Sequence, residues 1–385
     1  MAVAWVNSPI LVWAREQAHL TIEDVAARIG TSPSKVQAWE EGVAKPTFRQ
    51  AQKFAEISRI PFGYLYLSEP PAYKLPITDF RTIGDHPPPP FGADFRDLLN
   101  EVLRKQSWFR EYRVEQSTER LPFVGKFSAN SSAQEVAQDI RNTLQIHEVD
   151  KTAAKNWEGY LRLLIERTEA AGVLVMKSGI VGVNTHRPLS VAEFRGFVVS
   201  DDMAPVIFLN GKDALAAQIF TLVHELAHIW LGVSGVSNAD ISSSDAPVGD
   251  IEKTCNSVAA EFLVPEDELS ALWNSKESFS ENAWRLCRHF KVSSIVLARR
   301  AAEKGYGQWA DFFTFYETER AAWIKGNQSS GGDFYRTSAV RNGKLFTKAV
   351  LERAFEGKLL LRDAGDLLNV APSKLKVLAD SMYRE

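Results

Sequence analysis

The chain has 385 residues, of which 45% are hydrophobic and 24% charged, and its formal net charge is −3 at pH 7. This composition predicts a globular protein of more than one domain, and it excludes a surface coated with basic residues for nonspecific nucleic-acid binding. Two cysteines are too few for a disulfide framework or an all-cysteine zinc site. No apolar run reaches the about 18 residues of a membrane span, and the first residues do not resemble a signal peptide, so we expect a cytoplasmic protein without a membrane partner.

Changes in composition divide the chain into four regions. Residues 1–68 predict five short helices, and residues 69–97 predict a Pro-rich linker. Residues 98–275 combine helical patterns with three strand-like runs, "GVLVMK", "FRGFVVS" and "APVIFLN", and with a polar loop at residues 233–247. Residues 276–385 predict a helical region. The expected fold class is therefore α+β, mostly α.

The first region contains the pattern of a helix-turn-helix. Thr21 is a typical N-cap, with Asp24 three residues later, and Gly30 permits a tight turn. Ser32 is then expected to cap a second helix with its side chain, and Pro33 occupies the first position of that helix. The first turns of that helix expose small polar side chains of a size that a DNA major groove admits. The candidate DNA contacts are Ser32, Ser34, Lys35 and Gln37.

The stretch from "LVWAREQ" to "AQKFAEI" resembles the XRE (lambda-repressor-like) helix-turn-helix family, since it carries W-E-x-G followed by P-T. The resemblance implies binding to operator DNA. Residues 1–68 hold seven Lys and Arg against six Asp and Glu, and Glu41 stands where the family often has a basic residue. Phosphate contacts dominate affinity for DNA, so we expect a homodimer to strengthen binding. The alternative is a helix-turn-helix that binds a protein.

Two later segments fit the same apolar pattern, "LCRHFKVSSIVLA" at 286–298 and "DAGDLLNVAPSKLK" at 363–376. Each predicts a helix, a turn and a second helix. Neither has a basic face, so we interpret them as helix-turn-helix-like packing units of the C-terminal region rather than as DNA readers.

The run "TLVHELAHIWLG" places three costly polar side chains in a helix that is apolar on all other sides. His224 and His228 lie about 40° apart around the helix, so both imidazoles can reach one ion. Buried imidazoles need a partner, and a zinc ion with neutral imidazole ligands supplies one. Glu225 is then the expected general base. The alternative is a pair of hydrogen-bonded core histidines.

A catalytic zinc site needs a third protein ligand. The following helix, "DIEKTCNSVAAEFLVP", offers Asp250, Glu252 and Glu261. Glu252 and Glu261 are nine residues apart and point to opposite sides, so helical phase separates them without choosing between them. His186, in "VGVNTHRPLS", is a weaker candidate near the expected sheet.

The strand "APVIFLN", the motif "HELAH" and the later E-x-x-C-N-x-x-A-A-E-F-L-V-P together resemble the ImmA/IrrE metallopeptidase family. The resemblance implies a zincin-like domain with a small sheet, with Zn²⁺ held by His224, His228 and Glu252 and with Glu225 as catalytic base. Cys255 stands where the family usually has Ala, one turn from Glu252. Cys255 is therefore a candidate for an extra or competing soft ligand.

The combination resembles the XRE–ImmA/IrrE fusion proteins of bacteria and phages. It implies a transcription regulator with a zinc-dependent endopeptidase domain that cleaves a repressor or itself, or that controls a toxin partner or a mobile element. His186 and Arg195 are candidates, by position, for stabilising the transition state. The alternative is a non-hydrolytic DNA-binding regulator or antitoxin that uses the metal as a structural element or a sensor.

Overall fold

The structure is a computed structural model, and it describes residues 2–18, 20–71, 75–81, 90–237, 249–323 and 341–382. The chain forms two compact units, one of residues 1–76 with 89–100 and one of residues 77–88 with 101–385. The described residues are mostly helical, with one small mixed sheet, which confirms the expected fold class.

The first unit contains the helix-turn-helix. Its elements are α1 (Ser8–Gln17), α2 (Ile22–Ile29), α3 (Pro33–Glu40), α4 (Phe48–Ile57) and a 3-10 helix (Phe62–Tyr66). The core of α2 and α3 is apolar, and it consists of Val25, Ala26, Ile29, Val36 and Trp39. These are the positions that the apolar spacing of the sequence predicts to face inward.

Local hydrogen bonds fix the ends of these helices. The Thr21 hydroxyl accepts from the Asp24 N–H, and the Asp24 carboxylate accepts from the Thr21 N–H, which confirms the predicted cap of α2. Gly30 ends α2 at φ +80°, a conformation that glycine adopts without strain. Ser32 occupies the N-cap position of α3, but the predicted side-chain cap is wrong. Its hydroxyl lies 3.0 Å from the Ser34 hydroxyl instead.

A five-stranded sheet forms the centre of the second unit, in the order β1-β5-β3-β4-β2. β1 pairs with β5 and β2 with β4 in parallel, while β3 is antiparallel to both β4 and β5. The three predicted strand-like runs are confirmed as β2, β3 and β4. The strands are β1 (Thr78–Asp79), β2 (Leu174–Ser178), β3 (Gly196–Val199), β4 (Val206–Asn210) and β5 (Gly235–Ser237).

The edge strand β1 and its neighbour β5 come from segments that the sequence did not predict to contain strands. β1 lies within residues 69–97, predicted as a linker, and β5 lies within residues 233–247, predicted as a polar loop. Both expectations are wrong at these strands. Residues 72–74 and 82–89 of the first segment and 238–247 of the second lie outside the described residues.

Helices alternate with single strands or runs of strands along the chain. Those that precede or follow its strands are α5 (Ala93–Glu115), α6 (Ala133–Leu144), α7 (Glu148–Ala153), α8 (Trp157–Ala170), α9 (Leu215–Trp230) and α10 (Asp250–Leu263). From Gln218 to Trp230 every residue of α9 is buried, because α9 packs on β3 and β4 on one side and on α6, α8 and α10 on the others. This central position explains why its sequence is apolar all round.

Helices continue through the C-terminal region. They are α11 (Glu266–Leu272), α12 (Phe279–Phe290), α13 (Ser294–Glu303), α14 (Trp309–Trp323), α15 (Lys344–Phe355), α16 (Leu361–Leu368), a 3-10 helix (Pro372–Lys374) and α17 (Leu375–Met382). Both predicted helix-turn-helix-like units are present, with left-handed turns at Lys291 and Asn369. Across the described stretches, no helix combines the length and apolarity needed to cross a bilayer.

Candidate metal centre

Two imidazoles and a carboxylate meet between α9 and α10. His224 Nε2 lies 3.2 Å from Glu252 Oε2, and His228 Nε2 lies 2.9 Å from Glu252 Oε1. The two Nε2 atoms are 3.1 Å apart. Within the part of the chain that the structure describes, these side chains form the one group of three or more potential metal ligands whose ligand atoms all lie within 4.8 Å of one another.

The phase of α10 decides which carboxylate faces the imidazoles. Glu252 does so from the first turn of the helix, whereas Glu261 forms a buried ion pair with Arg300. Asp250, the third alternative, is exposed at the start of the helix. The structure thus brings together the three residues that the ImmA/IrrE resemblance implied as ligands.

The residues fit a divalent cation. His224, His228 and Glu252 are only 0%, 1% and 5% exposed, so water cannot satisfy their polar atoms. Two imidazole Nε2 atoms at hydrogen-bond distance can share at most one proton between them, which leaves lone pairs without a donor. Two imidazole nitrogens and one carboxylate, buried together, are ligands that divalent metal ions bind.

Burial and mutual attraction set the charges of this group. Burial opposes ionisation of Glu252, but the two imidazoles overcome it and lower the pKa of Glu252 to about 2. Burial also opposes protonation of His224, yet the facing carboxylate of Glu252 raises the pKa of His224. At His228 burial prevails and lowers the pKa. The group therefore offers an ionised carboxylate and a neutral imidazole, the forms that bind metal.

Glu225 lies beside the three residues and is held by the sheet. Its Oε1 accepts a hydrogen bond from the hydroxyl of Ser237 on β5, while its Oε2 has no hydrogen-bond partner among the described residues. Gly196 on β3 makes room for it, since a Cβ there would lie 3.1 Å from Glu225 Oε1. Burial raises the pKa of Glu225 to about 8, against the opposing charge of His224.

Sequence reasoning missed Ser237. It lies in a stretch with several other serines, and nothing in the stretch itself distinguishes it from them. Its register with Gly196, the residue next to the Glu225 carboxylate, is what identifies it. That register depends on strand pairing, which the sequence did not indicate here.

Three family models match parts of the chain. They are Helix-turn-helix at residues 11–65, IrrE N-terminal-like domain at residues 169–302, and Domain of unknown function (DUF8813) at residues 342–381. The chain thus contains a helix-turn-helix domain at residues 11–65 and an ImmA/IrrE domain at residues 169–302. A search of curated proteins found no match. The IrrE-like match contains both α9 and α10, and therefore all three members of the ligand group.

Cys255 does not join the ligand group of the ImmA/IrrE domain. It is fully buried on α10, but among the described residues the group comprises only His224, His228 and Glu252. Burial raises the pKa of the Cys255 thiol well above its usual value, which disfavours the thiolate that binds metals. The structure therefore does not bring the expected extra ligand into the group.

The two candidates for stabilising a transition state are placed differently. Arg195 precedes Gly196 at the start of β3, and its Nη1 donates to both carboxylate oxygens of Asp213, at 3.2 and 2.9 Å. His186 is exposed in the segment between β2 and β3, where its backbone N–H donates to the side-chain oxygen of Asn184. Neither residue belongs to the ligand group.

The candidate DNA contacts form the exposed side of α3. Ser32, Ser34, Lys35 and Gln37 are all exposed. The Gln37 amide donates to Glu41 at 2.8 Å, one turn later on the same face. This helix thus presents short polar groups, one cation and one carboxylate.

Proposed function

We propose that the chain is a transcription regulator whose ImmA/IrrE domain is a zinc-dependent endopeptidase that hydrolyses a peptide bond in a repressor or in the chain itself. The observation that carries this proposal is the group His224, His228 and Glu252 with Glu225 beside it, all inside an otherwise apolar helical core. Such a group is costly to fold without a ligand, and its composition is that of catalytic zinc sites.

His224, His228 and Glu252 would hold the ion. Three protein ligands, rather than four, is the number typical of catalytic zinc sites. A zinc ion bound there supplies Lewis acidity, which polarises a peptide carbonyl and lowers the pKa of water.

Glu225 is the residue that moves the proton. Burial raises the pKa of Glu225 to about 8, and a cation held by the three ligands would lower it and so favour the ionised carboxylate. Its Oε1 is occupied by Ser237, so Oε2 would be the atom that takes a proton from the attacking water and later delivers it to the leaving amine. The hydrogen bond from Ser237 keeps this carboxylate in one orientation. Of the two candidates for stabilising the oxyanion, Arg195 adjoins Gly196 in the chain, but its side chain is bound to the Asp213 carboxylate.

The substitution Glu225→Gln tests this function. Purified wild type and variant, each loaded with zinc, are incubated with candidate repressors and neighbouring-gene proteins, and new termini are sought by mass spectrometry. We expect cleavage by the wild type only, with equal zinc content in both proteins, because the amide keeps the shape of Glu225 but cannot accept the proton. A wild type that leaves every tested protein and itself intact would contradict the proposal, as would cleavage by both proteins.

One observation favours a second function, that of a non-hydrolytic regulator or antitoxin. The ligand group is at most 5% exposed, and a peptide substrate needs access to it. In this alternative the ion is structural or sensory, and a toxin partner rather than a substrate binds the chain. Equal DNA affinity with and without zinc, together with cleavage, would count against it.

We also propose that α3 reads operator DNA through Ser32, Ser34, Lys35 and Gln37, as a homodimer on a symmetric site. The net charge of the unit is small, so each charge on this face matters. Lys35→Ala should weaken binding to duplex DNA and reduce its salt slope by about 1. Glu41→Ala should instead strengthen it, because a carboxylate is lost and Gln37 is released.

Fluorescence anisotropy with a labelled duplex at several salt concentrations measures both effects. Glu56→Ala, on the exposed surface of α4, removes the same charge from another helix and serves as control for Glu41→Ala. Equal affinities for wild type, Lys35→Ala and Glu41→Ala would place the DNA contacts elsewhere.

A further inference from the structure

The segment that contains β1 runs along the sheet edge beside the metal centre. Thr78 and Asp79 pair in parallel with Gly235 and Val236 of β5, and the next residue, Phe80, donates its N–H to the Val236 carbonyl at 2.9 Å. β5 continues from there to Ser237, which binds Glu225. The segment therefore ends next to Ser237, the residue that binds the candidate base Glu225.

Phe80 connects this strand pairing with His228, one of the proposed metal ligands. Its ring is stacked on the imidazole of His228, with centroids 5.4 Å apart and an interplanar angle of 21°. Gly235 creates the space for the ring, because a Cβ at that position would overlap Phe80. The absence of a side chain at 235 and the aromatic ring at 80 are thus two parts of one contact.

Arg81 anchors the segment after the ring. It is only 5% exposed, and its Nε and Nη2 donate to the two carboxylate oxygens of Asp79 at 2.9 and 2.8 Å. Its Nη1 donates to the backbone carbonyl of Glu193, just before β3. A bidentate pair whose guanidinium is buried fixes the position of the backbone around it, so Phe80 lies between two residues that are held in place.

We propose that Phe80 is a positioning residue for His228, and that residues 77–81 form one wall of the metal centre, completed only when this segment is docked on β5. The inference rests on the proposed function in so far as it takes the ligand group to bind a metal. It adds that the segment which leads out of residues 1–76 contributes to affinity for the ion.

The physical reason is preorganisation. An imidazole free to rotate must be ordered when the ion binds, whereas a ring stacked against Phe80 already has the binding orientation. Outer-shell contacts to metal-binding histidines change affinity by about 10- to 100-fold. Stacking is weaker than a hydrogen bond to the second ring nitrogen. We therefore expect a change in metal affinity at the lower end of this range, about tenfold. By reciprocity, the bound ion must stabilise the docked segment by the same factor.

Phe80→Leu tests this in the full-length chain, since leucine keeps an apolar side chain but removes the flat ring. Zinc affinity is measured by competition with a chromophoric chelator, and the Co²⁺ absorption spectrum reports the ligand field. We expect about tenfold weaker zinc binding and an altered Co²⁺ spectrum for Phe80→Leu, and near-wild-type values for Phe80→Tyr. Gly235→Ala should weaken binding too, because it displaces the intact ring.

Phe313→Leu provides the matched control, since Phe313 is an exposed phenylalanine on α14 and should leave zinc affinity unchanged. Hydrogen exchange of the peptide covering residues 77–81 gives a readout that does not depend on affinity. Zinc should slow this exchange in the wild type and less so in Phe80→Leu.

Phe80→Leu with wild-type zinc affinity and Co²⁺ spectrum would overturn the inference while leaving the metal site in place. Exchange at residues 77–81 that zinc does not change would also overturn it, and this result stands even if Phe80→Leu folds poorly. A wild-type chain that binds no metal would overturn the proposed function, and the inference with it.

Discussion

At the scale of single residues, the free-energy cost of burying polar side chains explains most of the arrangement of the metal centre. His224, Glu225 and His228 lie on a helix that is buried along most of its length and mostly apolar, and each loses its hydration there. Glu252 compensates two of them from the adjacent helix at distances of 3.2 and 2.9 Å. The ion that we propose would satisfy the atoms that these contacts leave over.

Substitutions of Glu252 and Cys255, both buried on α10, should differ sharply in their effect on metal binding. Glu252→Ala removes a ligand, so we expect zinc affinity to fall by more than about 100-fold, beyond the range for outer-shell changes. Cys255→Ala removes a thiol that lies outside the ligand group and should leave zinc content at one per chain. Elemental analysis after dialysis measures both, and reduced zinc in Cys255→Ala would assign the thiol a ligand role.

The sequence predicted some of these residues better than others. The spacing of His224 and His228 is local, so helical geometry alone predicts that they share a face. Glu252 lies on another helix, and its choice over Glu261 required a family resemblance, because packing between helices decides which face turns inward. Ser237 was missed because its role depends on the register of β5 with β3.

At the scale of elements, the shortest strands escaped prediction for a physical reason. β1 has two residues and β5 has three, too few for an alternation of apolar and polar side chains. Their pairing partners stabilise them rather than their own β propensity. By contrast β2, β3 and β4 are runs of four or five mostly buried residues, which apolar composition alone predicts.

The junction of α8 with α15 places a carboxyl group in an unusual environment. Glu169, near the end of α8, is 7% exposed and accepts the N–H of Leu345 in the first turn of α15 at 3.1 Å. Burial raises the pKa of Glu169 to about 7, and the backbone donors of α15 offset only part of this. A carboxylate at a helix N-terminus is favourable, but its desolvation here costs more.

This carboxyl group should make stability fall as pH rises. Its pKa in the folded chain lies above its usual value of 4.5, so its contribution is complete below about pH 4.5 and is lost as pH rises through about 7. Glu169→Gln cannot ionise, so at pH 8 it should be more stable than the wild type, by at most about 3 kcal/mol. At pH 5 the difference should fall below about 1 kcal/mol, because most of it develops between pH 5 and 7.

Thermal or chemical unfolding at several pH values between 5 and 8 measures the difference. Glu166→Gln, on the same helix but about half exposed, serves as control and should show no such trend. A constant difference between Glu169→Gln and wild type across this range would contradict the assignment.

At the scale of the whole molecule, the chain joins a helix-turn-helix domain to an ImmA/IrrE domain, as the two resemblances implied. All three members of the ligand group belong to the second compact unit. The regional boundaries drawn from composition, at residues 68, 97 and 275, stay predictions. Composition predicts a linker from its prolines, but it does not predict that residues within that linker pair with a distant strand.

Zinc should therefore stabilise the second unit specifically. A ligand that binds only the folded state stabilises it by about 2.7 kcal/mol at 100 times its dissociation constant. In scanning calorimetry of the full chain, zinc should raise the unfolding temperature of the transition that contains the ligand group. Glu252→Ala serves as control and should show no such rise, whereas an equal rise in that variant would indicate binding elsewhere.

X-ray absorption at the zinc edge of the full-length chain tests the central claim most directly, because it identifies the atoms around the ion. We predict one zinc per chain with nitrogen and oxygen neighbours at about 2.0 to 2.2 Å and the multiple-scattering pattern of two imidazoles. A sulfur neighbour at about 2.3 Å, or a chain that retains no zinc, would contradict the account.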